Sequence, residues 1–144
     1  FFFKATLDYA KLCRDSGRID CADTLYLRAE ASLDSTNGAT RTYLGRCRIG
    51  HGYLRAMQGR HEEAESMIRA GFATMPGEGP VDSLLLAESH ALWAAARARG
   101  GDVNGAIEQL IRAAEYGTTA TDVARYSELA SLRSRPDYPF ANSP

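Results

Sequence analysis

The chain has 144 residues, of which 44% are hydrophobic and 24% charged, and its net charge is −1. This composition excludes general disorder and supports a single domain or one short array with a substantial apolar core. A near-neutral field excludes strong attraction to nucleic acid or anionic lipid, and no apolar run approaches the roughly 18–20 residues that span a bilayer, so no membrane insertion is expected.

The opening Phe1, Phe2 and Phe3 are too few to form a signal-peptide core. A start without Met reads as an excised piece or a processed product. The first helical pattern runs from Thr6 to Cys13, with Leu7, Ala10 and Cys13 at three-residue spacing and Tyr9 and Leu12 beside them. Gly17 marks a turn, and Ala22, Leu25, Tyr26 and Ala29 then follow the i, i+3, i+4, i+7 spacing of an amphipathic helix. Asp34-Ser-Thr-Asn-Gly38 is a break. A second pattern covers Leu44 to Met57, turns at Gly59, and continues through Ala64, Met67, Ile68, Gly71 and Phe72. After the break Met75-Pro-Gly-Glu-Gly-Pro80 comes a third, from Leu84 to Arg99. Gly100 and Gly101 close it, and Ala106, Leu110, Ala113 and Ala114 line the helix that follows. A last short helix is expected over Thr121 to Leu132, with Val123, Tyr126, Leu129 and Leu132 as its apolar side. No stretch alternates polar and apolar residues for the length of a strand.

Gly17, Gly59 and Gly101 are spaced 42 residues apart with no insertion or deletion. Five positions after each stands an alanine (Ala22, Ala64, Ala106), four further on a large apolar residue (Tyr26, Ile68, Leu110), then a small one (Ala29, Gly71, Ala113). Asp20, Glu62 and Asn104 occupy the third position after each glycine, where a carboxylate or amide complements a helix start. A fixed period of this length signals a repeat architecture. The small residues are those that let paired helices approach closely. The expected fold is all-α: an α-solenoid of three antiparallel helix pairs plus a C-terminal capping helix. Within one domain over 1–144, the units cover about 4–38, 40–79 and 81–117, and the cap and tail 119–144.

The pattern resembles the tetratricopeptide repeat. Gly52, Gly59, Ala64 and Pro76 match that family in the middle unit. The first unit contributes Ala10, Gly17, Ala22, Tyr26 and Ala29, and the third Trp93, Ala94, Gly101, Ala106 and Ala113. The unit is longer than the family's common 34 residues, as in the 42-residue variety of kinesin light chains and many bacterial signalling proteins. The resemblance implies that one face of each first helix lines a concave groove. The positions so implied are Lys4, Leu7, Asp8, Lys11 and Arg14; then Arg46, Ile49, Tyr53 and Met57; then Glu88, Leu92 and Arg99. This groove, basic at one end and apolar in the middle, would suit a protein or peptide segment with an apolar anchor and an acidic flank. The family's clamp for a C-terminal carboxylate uses asparagine where this chain has Asp8, Gly50 and Leu92, so that mode is not expected.

Chemistry is sparse. His51 and His90 fall at inner helix positions and read as core or interface histidines rather than metal ligands. His61 opens HEEAE, which lacks the second histidine of a zinc-protease motif. Glu62, Glu63 and Glu65 read as an acidic helix start. Cys13 and Cys21, eight residues apart, have a spacing compatible with a bridge, although small buried side chains are the commoner case; Cys47 has no evident partner. No enzyme activity, metal or cofactor is expected. The ends carry Phe1, Phe2 and Phe3, and Tyr138, Pro139 and Phe140, which suit end-to-end contact in a homo-oligomer or filament. The leading expectation is a protein-interaction scaffold. The alternatives are a fibre subunit outside the cell and the interaction region of a larger cytoplasmic signalling protein.

Overall fold

The three glycines set 42 residues apart adopt the same backbone. In the computed structural model, which describes residues 2–33, 38–76 and 83–140, Gly17, Gly59 and Gly101 have φ of 79°, 80° and 83°. At each, two hydrogen bonds close the end of a helix. The glycine N–H donates three residues back (Gly17 to Arg14, Gly59 to Ala56, Gly101 to Ala98). The next N–H donates five back (Arg18 to Cys13, Arg60 to Arg55, Asp102 to Arg97). This is the Schellman arrangement, whose left-handed residue is cheap only for glycine.

These turns join α1 (Phe2–Asp15) to α2 (Ile19–Ser32), α3 (Gly38–Met57) to α4 (His61–Thr74), and α5 (Ser83–Arg99) to α6 (Val103–Glu115). The pairs are antiparallel. As α3 advances through Gly45, Ile49 and Gly52, its neighbours retreat from Met75, just past the end of α4, through Gly71 to Ile68. On α5 and α6, His90 meets Gln109 and Arg97 reaches Gly105. Small residues set the distance between paired helices. Ala22, Ala64 and Ala106 are buried, and a Cβ on Gly71 would stand 2.7 Å from the Gly45 carbonyl oxygen. Among the described residues there is no strand.

The chain folds as two compact units, Phe1–Gly79 and Pro80–Pro144. The expected break Met75–Pro80 falls at this division, although its residues 77–80 lie outside the described ones, as do 34–37 of the first break. Unit 1 contains α1 to α4, with α2 packed on α3 as well as on α1. In unit 2 the C-terminal segment packs on α5. Two details differ from the sequence reading. Helix α3 begins at Gly38, six residues before Leu44, and the last element is not one helix. A capping box between Thr119 and Asp122 starts the four-residue α7 (Ala120–Val123). Tyr126 is extended, and a 3-10 helix runs over Ser127–Ser134. The reason lies in the spacing. Val123, Tyr126, Leu129 and Leu132, all buried, recur every three residues, which drifts off an α-helical face but keeps register with three residues per turn.

Candidate functional site

Inside unit 1 the sequence places charge where a core is expected. Asp23, Tyr26 and Glu30 lie along one side of α2, and His51 and Arg55 stand one turn apart on α3. His51, 1% exposed, sets its Nε2 2.8 Å from Asp23 Oδ1 and its Nδ1 3.1 Å from Glu30 Oε2. Arg55 lies 2.8 Å from the same Asp23 oxygen. Partial burial pushes the Asp23 carboxyl up, but the hydrogen bonds from His51 and Arg55, with their charges, outweigh it and hold Asp23 below the ordinary carboxylate range. The Tyr26 ring stacks on His51 at 5.4 Å. Its hydroxyl accepts from Arg14 Nη1 at 3.0 Å, and burial raises it to about 12. Gly50 makes room for it, since a Cβ there would stand 2.6 Å from the Tyr26 hydroxyl. Cys47 donates to the Tyr26 carbonyl and is raised to about 12, chiefly by burial, so it keeps its proton. This network fastens α2 to α3.

Leu7, Arg14, Ile49, Tyr53 and Leu92 are buried. Leu7 belongs to the apolar cluster of α1, α2 and α3, and Ile49 faces Gly71 of α4. Arg14, taken as part of a basic rim, lies in the core with its guanidinium 5.3 Å over the Tyr53 ring and 3.0 Å from Asp15. Lys4 is exposed and pairs with Asp8 at 3.2 Å. Lys11, Arg46 and Met57 are half-buried, with Arg46 over the Tyr43 ring. Arg99 pairs with Glu128. At the C-terminal end, Tyr138 and Phe140 pack edge to face at 5.5 Å. The side chains of Phe1, Phe2 and Phe3 lie outside the described residues. His51 and His90 find their partners in different units, His90 Nδ1 sitting 2.7 Å from Gln109 Oε1. Among the described residues, no group of three or more His, Cys, Asp or Glu is placed to hold a metal ion, and no helix is long and apolar enough to cross a membrane.

Unit 2 contains a pocket of about 160 Å³. Its lining includes Ala87 and Ala91, one turn apart on α5, the rings of Tyr116 and Tyr126, and the charged Glu88, Asp122 and Arg125. Leu84, 78% exposed, lies at its edge. Both rings have partners. The Tyr116 ring lies parallel to His90 at 5.7 Å, and the Arg125 guanidinium covers Tyr126 at 5.1 Å. Gly117, with φ 103°, closes α6 in the same type of turn as the three repeat glycines: its N–H donates to Ala114 and that of Thr118 to Ala113. The Asp122 carboxylate accepts from the Thr119 N–H and hydroxyl, and those bonds, the backbone one first, hold it below the usual range. Sequence reasoning did not find this pocket. The signal present was a pair of alanines four apart beside a leucine off the helix's apolar side, with an aromatic-Gly-Thr turn after α6.

Comparison of this chain with family models, with curated proteins and with solved structures returns no match.

Proposed function

We propose that the three hairpins belong to a tetratricopeptide-like α-solenoid that acts as a non-enzymatic protein-interaction module, with the unit 2 pocket gripping one large apolar side chain of a partner segment. The observation that carries this reading is the size and lining of the pocket. About 160 Å³ is close to a cavity that accommodates one benzene ring and well below the roughly 300–1,000 Å³ of small-molecule and cofactor sites. A lining of alanines, tyrosine rings and charged residues, with an exposed leucine at the edge, suits an anchor residue on an extended or helical peptide. The repeated glycine turns and the small residues between paired helices support the repeat reading.

The test is selection from a random linear-peptide library against the whole chain, followed by affinity measurement on a Leu84→Glu variant. Leu84 is exposed, so this variant leaves the core intact. Enriched peptides sharing one large apolar residue, and losing about tenfold or more in affinity to Leu84→Glu, equivalent to about 1.4 kcal/mol, are expected. Failure to enrich peptides, or binders indifferent to the substitution, would count against the proposal.

A further inference from the structure

Cys13, at the end of α1, and Cys21, in the first turn of α2, bring their Sγ atoms to 2.8 Å across the Gly17 turn. They differ in access, Cys13 being buried and Cys21 partly exposed. Cys21 is the third residue of α2, and as the partly exposed member it is the one a dissolved disulfide reaches first. A cation stands beside the pair. Arg18, hydrogen-bonded to Tyr9, is raised first by the charge of Cys13 and next by that of Cys21. The hydrogen bond with Cys21, followed by burial, pushes the Cys13 thiol up, against the lowering effect of the Arg18 charge.

We propose that Cys21 and Cys13 form a thiol–disulfide exchange site, Cys21 attacking a small-molecule disulfide and Cys13 resolving the product into an intramolecular bond. In the first step the Cys21 thiolate attacks one sulfur of the oxidant, the S–S bond breaks, and one small thiolate leaves. In the second, Cys13 gives up its proton and attacks Cys21 Sγ, which expels the other small thiolate. The protein dithiol loses two electrons and two protons to a low-molecular-weight disulfide, which becomes two thiols. A disulfide bond is about 2.05 Å long, so less than 1 Å of further approach is needed. The product ties α1 to α2 across their turn. Cys47 takes no part: it is buried and bonded to the Tyr26 carbonyl. The proposal is independent of the pocket in unit 2.

The experiment incubates the native whole chain with mixtures of reduced and oxidised glutathione, traps thiols by alkylation and maps peptides by mass spectrometry. The wild type is expected to give a Cys13–Cys21 linked product, with Cys47 alkylated only after unfolding. Cys13→Ser is expected to stop at the glutathione mixed disulfide on Cys21, and Cys47→Ser to behave as wild type. The wild-type map decides the matter if a variant folds poorly. A bond through Cys47, a bond between two chains, a wild-type mixed disulfide that does not resolve, or no reaction under conditions that oxidise the unfolded chain would each overturn the proposal.

Discussion

Replacing Gly71 with alanine tests the claim that α3 and α4 touch backbone to backbone. An added Cβ would stand 2.6 Å from Ile49 Cγ1, 2.7 Å from the Gly45 carbonyl oxygen and 3.1 Å from the Ile49 nitrogen. Two of those three atoms are backbone and cannot rotate away. Alanine in a helix interior is favoured over glycine by about 1 kcal/mol. Overpacking costs about 1–3 kcal/mol or more, and immobile backbone neighbours put this site at or above the upper end. The net expectation is a loss of about 2 kcal/mol. In a unit of this size (Phe1–Gly79) each kcal/mol lowers the melting temperature by about 4–8 °C, so circular dichroism should record a fall of roughly 10 °C. Ala70→Gly, on the exposed neighbouring position, is the control, losing about 1 kcal/mol from propensity alone. An unchanged or raised melting temperature for Gly71→Ala would refute the close approach.

Gly59→Ala should cost about 1 kcal/mol from the left-handed backbone alone, because nothing lies within 4 Å of the added Cβ; Gly59→Asn should cost less, and urea unfolding of both variants checks the order. Tyr26→Phe removes the acceptor of Arg14 Nη1 and should lose about 1–3 kcal/mol, measured by the same unfolding curve. His90 is held below its ordinary value of 6.5, first by burial and then by Arg112, against the opposing Gln109 bond. The unfolded chain therefore binds the proton more readily than the folded one. Stability from this group is complete above about pH 6.5 and is lost as pH falls through the lower folded value, a slope that His90→Gln should remove from a pH series of melting temperatures.

What was legible in the sequence follows from constraints that few residues satisfy. A left-handed helix end calls for glycine, so Gly17, Gly59 and Gly101 announced the turns, and a close helix pair calls for small residues, so Ala22, Ala64, Gly71 and Ala106 announced the contacts. The burial of single groove positions was not legible, because a helix's apolar positions have the same periodicity whether they face a neighbouring helix or solvent. Ile49 and Leu92 are buried for that reason, and Arg14 was assigned to the surface by its charge alone. The pairing of His51 with Asp23 and Glu30 depends on the register of α2 against α3, which no local pattern encodes. The pocket is formed by what is missing above Ala87 and Ala91, and a missing side chain leaves little trace in a sequence. The three-residue spacing after Val123 was visible, but it was read as an α-helix.

The most direct test of the account is a titration of isotope-labelled whole chain with benzyl alcohol, a single-ring probe, followed by amide chemical shifts. Saturable shifts centred on Ala87, Ala91, Tyr116, Gly117 and Tyr126, and abolished in Leu84→Glu, are predicted. Shifts that do not saturate, or that centre on α1 to α4, would contradict the assignment of the pocket as the anchor site.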